Sequence, residues 1–194
     1  MKKYFVALAL CLALNTLSAQ SLMHSFGANI SVITGTTGDQ YNSSNYTMSQ
    51  TMLSYFPRYT FVENDNSSIS LGAPLGIGFG IASNSYYEDY GLSFAYDIPL
   101  VLDYNIGCKS TPDNEGTFGG YFGAGFGYSS VAVSKSESSD FKGKSIGPIF
   151  RGGVRIGSNN EAWGGHAITI GLFYKKGINA GAFQTFGCNV LYDL

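Results

Sequence analysis

The sequence carries little charge and no excess of basic residues. Asp, Glu, Lys and Arg make up 12% of its 194 residues, which is about half of the ~25% found in an ordinary soluble domain. The formal net charge of −2 lacks the basic excess that binding to a nucleic-acid backbone requires. We therefore expect no nucleic-acid partner.

Cysteine and histidine are also scarce, with 3 and 2 residues in the whole chain. Outside the N-terminal segment, Cys108 and Cys188 allow at most one disulfide and form no Cys-x-x-Cys motif. Only His24 and His166 could act as a base near neutral pH, and two histidines without clustered carboxylates make a poor metal site. The sequence predicts no catalytic residue, no metal site and no cofactor.

The sequence has one long apolar run, which lies at the N-terminus. This run is shorter than the ~20 residues of a transmembrane helix. Lys2 and Lys3 precede an apolar stretch from Tyr4 to Leu14, and Leu17-Ser18-Ala19 follows it. This order of basic, apolar and small residues is typical of a secretory signal peptide. We expect residues 1–19 to be cleaved and residues 20–194 to form one exported domain.

Glycine and aromatic residues are abundant, with 26 Gly, 14 Tyr and 14 Phe, and they follow a strict alternation. Between Ser68 and Ser83, every second residue is apolar, while the residues between them are mostly small or polar. Successive side chains of a β-strand point to opposite faces. The pattern therefore predicts strands with one apolar face and one small or polar face.

Eight segments of the chain show this alternation, and no helical period competes with it. Turn-rich polar connections separate the segments, which favours an all-β fold without a second domain. The apolar residues that mark the other segments are Phe26 to Val32, Leu53 to Phe61, Tyr90 to Ile106, Phe122 to Tyr128, Ile146 to Ile156, Ile168 to Tyr174 and Phe186 to Leu194.

The length of the alternation from Tyr90 to Tyr104 decides between a soluble and a membrane protein. At ~3.3 Å per residue and a tilt near 40°, this strand would rise about 35 Å, enough to cross the ~25 Å apolar band of an outer membrane. A sheet in lipid must close on itself. We predict a closed antiparallel eight-stranded up-and-down barrel in the outer membrane, with both termini and the shorter turns on the periplasmic side. A soluble exported barrel of lipocalin type is the alternative.

The end of the chain carries a more specific signal. Phe186, Cys188, Val190, Tyr192 and Leu194 alternate up to the last residue. With this pattern the chain resembles the small eight-stranded bacterial outer-membrane barrels of the outer-membrane protein A and X type. The resemblance implies that the barrel assembly machinery recognises the C-terminal strand and that outer-membrane lipid surrounds the protein.

Five charged residues fall on the face that should point into the barrel. They are Arg58, Asp97, Asp103, Arg151 and Arg155. An uncompensated charge in so narrow a space is costly, and eight strands leave an interior that side chains nearly fill. We predict a lumen charge network in which Arg151 and Arg155 pair with Asp97 and Asp103 across the lumen and close the pore. Separate, water-solvated charges are the alternative.

Glycine runs such as Gly76 to Gly80 and Gly123 to Gly127 lie on the same inward face. No helix follows them, so they do not form a phosphate-binding loop. We predict instead that inward glycines leave room for the inward aromatic residues Phe56, Tyr121 and Phe173.

The sequence favours a non-catalytic barrel with a structural or surface-interaction role in the envelope. The connections from Gly35 to Thr47 and from Ser134 to Lys144 mix polar and aromatic residues that suit an extracellular or envelope protein partner. A narrow channel for a small solute, lined by arginines, is the main alternative, and a lipid-modifying enzyme is a weaker one. A general porin is excluded because open channels need ~16 strands.

Overall fold

The computed structural model describes residues 21–37, 44–84, 90–134, 141–157, 165–179 and 182–194. The predicted signal peptide, residues 1–19, lies outside these ranges. The described residues form nine strands. They are β1 (Ser21–Thr37), β2 (Ser44–Asn64), β3 (Ser67–Gly72), β4 (Leu75–Asn84), β5 (Tyr90–Gly107), β6 (Phe118–Ser134), β7 (Phe141–Gly157), β8 (Ala167–Lys176) and β9 (Phe183–Asp193).

In the part of the chain that the structure describes, no helix is long and apolar enough to cross a membrane.

The strands form a closed antiparallel ring. Consecutive strands pair with each other except β3 and β4, which both pair with β2 and β5, and β1 closes the ring by pairing with both β2 and β9. We follow the ring from Met23 on β1 by stepping from each residue to its paired residue on the next strand. After one full turn the path returns to β1 at Ile33, ten residues further along. Such a stagger accompanies the tilted strands of a barrel. The predicted fold class is confirmed.

Strands β3 and β4 lie end to end and together form one barrel strand, which gives the predicted eight. Both pair with β2 on one side and with β5 on the other. Ala73 and Pro74 separate them, because proline has no N–H to donate to a neighbouring strand. The Leu75 N–H instead donates to the Ala73 carbonyl at 2.8 Å, so the chain makes a tight turn there before the pairing resumes.

The alternation places the large apolar side chains on the outer face of the barrel. Along β8 every second residue is exposed, and the exposed residues include Ile168, Ile170 and Leu172. The residues between them point into the lumen and are buried. A soluble protein does not expose so continuous an apolar surface, whereas a barrel in lipid does.

The two ends of the barrel differ. At the terminal end, β1 begins and β9 ends; at the distal end, β1 ends and β2 begins. The expectation that the shorter turns lie at the terminal end is wrong in part, because residues 108–117 and 158–166 connect strands there and are longer than 38–43 at the distal end. The strands β1 and β2 extend further at the distal end than expected. Thr37 still pairs with Ser44 inside the segment predicted as a loop.

Phe150 lies near the middle of the outer face of β7 and is 57% exposed. We expect Phe150→Arg to lower the free energy of unfolding in lipid by about 2–4 kcal/mol, because a cation there must enter hydrocarbon. Thr47→Arg is the matched control, since Thr47 is exposed on the polar distal part of β2, and we expect less than about 1 kcal/mol there. Denaturant unfolding in vesicles measures both. Equal effects would contradict a lipid-facing surface.

Candidate functional site

A cluster of buried charged residues fills the terminal half of the lumen. Arg58 extends from β2 and both Arg151 and Arg155 extend from β7, while Asp103 comes from β5. All four side chains are buried, with Arg58 and Arg155 only 1% exposed. These four residues all occupy inward-facing positions of their strands. The lumen therefore brings together four of the five charged residues predicted from the sequence.

Arg151 lies between two aromatic rings and beside a carboxylate. Its guanidinium carbon is 4.4 Å from the Phe56 ring centroid and 4.6 Å from the Tyr121 ring centroid. Its Nε is 3.7 Å from Asp103 Oδ1, which is an ion-pair distance without a direct hydrogen bond. Cation–π contacts are strongest where water is excluded, so the rings and the carboxylate together offset the burial of this cation.

Arg58 and Arg155 share the same two acceptors. Arg58 donates to Asn105 Oδ1 at 3.3 Å and to the Lys109 carbonyl at 2.8 Å. Arg155 donates to the same Asn105 oxygen at 2.7 Å and to the same carbonyl at 3.4 Å. The Asn105 amide nitrogen donates to Ser70 Oγ at 2.9 Å, which turns the amide oxygen towards the arginines.

Arg155 also has a carboxylate partner, but it is neither of those predicted. Its Nε lies 3.7 Å from Asp193 Oδ2 on β9, and Ser25 and Thr169 both donate hydrogen bonds to the Asp193 carboxylate. The cluster therefore holds three guanidinium groups and two carboxylates. Neutral carbonyl oxygens and aromatic rings stabilise the third positive charge in place of a third carboxylate.

Asp97 lines the same small cavity as Arg151 but forms its ion pair with Lys175, so its predicted pairing with Arg151 or Arg155 is corrected. Its carboxylate accepts a hydrogen bond from Ser129 and lies 2.5 Å from Lys175 Nζ. The reason is geometric: Asp97 lies six residues before Asp103 on β5, nearer the distal end. Lys175, the next-to-last residue of β8, points into the lumen at that level.

Residues 108–117 close the terminal end of the lumen. Cys108, Lys109 and Ser110 are buried there, and Lys109 adopts a left-handed backbone conformation with φ 52°. This conformation is costly for a residue with a side chain, and it accompanies a carbonyl that accepts both Arg58 and Arg155. Ser68 Oγ also donates to the Ser110 carbonyl at 2.5 Å. The arginine cluster thus anchors this turn.

The distal half of the lumen holds an apolar cluster beside buried polar side chains such as Ser31, Gln50 and Ser93. Nine buried side chains form one contiguous cluster there. They are Ile33, Tyr46, Met48, Met52, Ala82, Ala95, Val131, Val133 and Phe183. Sequence parity predicts a small or polar inward face throughout, so this apolar segment is a difference from the expectation. The residues of this cluster come from six different strands, so the pattern of any single strand does not predict the cluster.

Inward glycines make room for large inward side chains, as predicted, although different glycines do so. A Cβ atom at Gly72 would collide with the Phe56 ring, one at Gly171 with the Tyr121 hydroxyl and one at Gly187 with the Phe173 ring. Of the glycines named from sequence, Gly123 leaves space for the Asp103 carboxylate instead.

The histidines contact aromatic residues near the terminal end. His24 Nδ1 lies 2.7 Å from the Tyr55 hydroxyl, and the His166 ring centroid lies 5.1 Å from that of Tyr192. Cys108 and Cys188 are both free thiols. Among the residues that the structure describes, no group of three or more His, Cys, Asp or Glu side chains could hold a metal ion.

Sequence reasoning missed Lys175, Asp193, Asn105 and the Lys109 carbonyl. Parity was a sufficient signal for Asp193, which falls between the outward residues Tyr192 and Leu194. Lys175 follows Tyr174, where the alternation of this segment ends, so the sequence pattern does not place it in the lumen. Asn105 is uncharged, and a backbone carbonyl in a turn has no signature in the sequence.

No protein-family model and no curated protein matches this chain. Solved structures do. Neisserial surface protein A superposes with a TM-score of 0.52 and 13% identity over 90% of this chain and 97% of that chain. The outer membrane protein OprG from Pseudomonas aeruginosa superposes with a TM-score of 0.54 and 13% identity over 91% of this chain and 96% of that chain. At this identity the likeness concerns the fold.

The fold and the surface together define the class of protein. The ring is closed, its outer face is apolar, and both similar structures are full-length matches. The chain is an integral outer-membrane β-barrel of the small, eight-stranded kind.

A double-mutant cycle tests the pairing in the lumen. We expect Arg151→Ala and Asp103→Ala each to lower the free energy of unfolding by about 3–5 kcal/mol, because each leaves a buried charge without its partner. The double variant should lose less than the sum of the two. Asp97→Ala combined with Arg151→Ala is the comparison cycle and should show a smaller coupling, since Asp97 pairs with Lys175 and shares only a small cavity with Arg151. Unfolding in lipid, followed by heat-dependent gel mobility, provides the values. Additivity in both cycles would refute the assigned pair.

Cys108 reports on the turn at the terminal end. Burial raises the pKa of its thiol above the ordinary value, so less of the reactive thiolate is present at any given neutral or mildly alkaline pH. In a Cys188→Ala background we expect slow maleimide labelling that accelerates as the pH rises towards that raised pKa. Arg58→Ala should speed the labelling because it removes the shorter of the two hydrogen bonds to the Lys109 carbonyl. Fast labelling of the parent protein at pH 7 would show that the turn is not held.

Proposed function

We propose that the protein is a non-catalytic outer-membrane barrel with a closed lumen, of the outer-membrane protein A and X type, that acts in envelope structure or in contacts at the cell surface. The observation that carries this proposal is the filling of the lumen along its whole length. An apolar cluster and buried polar side chains such as Gln50 occupy its distal half, the Asp97–Lys175 pair follows, and the arginine cluster and residues 108–117 occupy its terminal half.

Two spaces in the lumen that are lined by described residues are small. One, of about 10 Å³, lies beside Gln50 and Lys175, and another, of about 20 Å³, lies beside Arg151 and Asn189. A single water needs about 10–15 Å³ of such space. These volumes support a barrel that holds isolated waters and passes no solute.

The distal end offers a surface for contacts. The exposed apolar residues Val32 on β1 and Ile81 on β4 pair with Ser49 of β2, so the apolar belt reaches this level. Beyond it the outer face of β2 continues with the exposed residue Thr47, and the pairing of β1 with β2 continues to Thr37 and Ser44. The paired ends of β1 and β2 therefore extend past the apolar belt. Residues 38–43 and 135–140, which make up half of the two connections predicted to make contacts, lie outside the described ranges.

A narrow channel for a small solute is the second candidate, and the imbalance of charge in the cluster favours it. Three arginines face two carboxylates, an arrangement that would select anions if the turn at the terminal end moved aside.

Conductance separates the two candidates. We expect the reconstituted protein to show no steps of porin size in planar bilayers and no swelling of liposomes in small sugars, because side chains and the turn fill the lumen. A variant without residues 110–115, which shortens the turn at the terminal end, is measured beside the parent protein. A parent protein that conducts anions steadily would overturn the closed barrel and support the channel.

A second experiment divides structural from surface roles. Cells that lack the protein would be tested for sensitivity to detergent, and then complemented with the parent chain or with a variant lacking residues 38–43 and 135–140. Rescue by both chains supports a role in envelope structure. Rescue by the parent alone supports contacts made at the distal end. A lack of sensitivity in the deleted strain would contradict an envelope role.

A further inference from the structure

The ring closes at a seam between its first and last strands. In the ring of eight barrel strands, β1 and β9 are the neighbours that no connecting segment joins, because they hold the two ends of the chain. Eleven residue pairs join β1 to β9, from Ser25 opposite Asp193 to Gly35 opposite Phe183, whereas seventeen pairs join β1 to β2. Since no turn sets the register of this seam, contacts between side chains across it have a larger part in doing so.

Two inward positions of the seam are glycines. Gly27 lies opposite Leu191, and Gly187 lies opposite Ser31. A Cβ atom at Gly27 would collide with the Val190 carbonyl, so the two strands approach each other too closely there for a side chain. Neither glycine contributes a side chain that could fix the register of the seam.

Asp193, the last residue of β9, fastens the terminal end of the seam. Ser25 of β1 donates a hydrogen bond to Asp193 Oδ1, and Thr169 of β8 donates one to Asp193 Oδ2. Beside them, the Leu194 N–H donates to the His24 carbonyl at 2.9 Å. Asp193 is buried, and hydrogen bonds to a carboxylate are stronger than those between neutral groups. One side chain therefore holds β9 to both of its neighbours.

The same carboxylate also acts on the turn at the terminal end, through Arg155. Arg155 Nε lies 3.7 Å from Asp193 Oδ2, and the Nη atoms of Arg155 donate to the Lys109 carbonyl and to Asn105 Oδ1. A buried guanidinium without a carboxylate partner is strongly destabilising. The position of Arg155 against the turn therefore depends on a carboxylate that the last strand brings.

We propose that Asp193 is a latch that couples closure of the ring to closure of the lumen. Before β9 pairs with β1, Arg155 lacks this carboxylate, and its hold on residues 108–117 is weaker. When Asp193 accepts the hydrogen bonds of Ser25 and Thr169, it is placed beside Arg155, so the turn is fully held only in a barrel whose seam is closed. The first step rests on the seam contacts alone, and the second rests on the closed lumen of the proposed function.

Hydrogen exchange in the folded barrel tests the first step. Asp193→Asn keeps the shape of the side chain and removes its charge. We expect the backbone amides of β9 near Asp193 and those of β1 near Ser25 to exchange about ten-fold faster, a factor that corresponds to the loss of one hydrogen bond to a charged group. The amides of β6, on the far side of the ring, should exchange as in the parent protein. Mass spectrometry of the protein in detergent micelles measures both.

Maleimide labelling of Cys108 tests the second step. In a Cys188→Ala background we expect Asp193→Asn to be labelled about ten-fold faster than its parent, because the turn is held less well when Arg155 loses its carboxylate.

Asp103→Asn is the matched control for both steps. Asp103 is also buried and lies the same 3.7 Å from an arginine of β7, but it extends from β5, away from the seam. It should change exchange at β1 and β9 by less than about two-fold. Heat-dependent gel mobility shows whether each variant is folded. If Asp193→Asn does not fold, Ser25→Ala, which removes only the donor across the seam, takes its place with the same expected directions.

Three results would overturn the proposal. They are unchanged exchange at the seam in Asp193→Asn, an equal rise at the seam in Asp103→Asn, and a loosened seam that leaves the labelling of Cys108 as in the parent protein. Steady conductance by the parent protein would refute the closed lumen and leave the exchange result at the seam unchanged, so the two proposals fail separately.

Discussion

The structure depends on one constraint: a closed ring of tilted strands divides every strand into residues that face lipid and residues that face a narrow lumen. Closure satisfies the backbone hydrogen bonds that lipid cannot, and alternation then assigns each side chain its surroundings. Lys175 and Lys176 show how sharp the division is. The first is buried in the lumen against Asp97, and its neighbour in sequence lies exposed on the outer face.

The narrow lumen explains how the charged groups are accommodated. Three arginines and two carboxylates share the terminal half, and the remaining positive charge is met by the Lys109 carbonyl, the Asn105 amide oxygen and two aromatic rings. The same contacts hold residues 108–117 across the end of the lumen. The hydrogen bonds to the Lys109 carbonyl therefore have two effects. They satisfy the buried guanidinium groups, and they hold the turn across the end of the lumen.

The sequence predicts the architecture well because barrel strands repeat one local rule. The eight barrel strands and the inward direction of Arg58, Asp103, Arg151 and Arg155 all follow from parity. Partners across the lumen do not, because they depend on the stagger between strands. A stagger of ten residues around the ring puts Asp193 beside Arg155 and leaves Asp97 with Lys175. The backbone acceptor at Lys109 depends on a turn conformation that no residue pattern encodes.

Solid-state NMR of the unmodified protein in lipid tests the central claim most directly, because it measures the surroundings of each side chain without a substitution. Magnetisation is transferred separately from lipid acyl protons and from water protons to the side chains. The account predicts strong acyl transfer to Ile168, Ile170 and Leu172, and slow transfer from both sources to the guanidinium groups of Arg58, Arg151 and Arg155. Rapid water transfer to these arginines, or weak acyl transfer to the β8 residues, would contradict it.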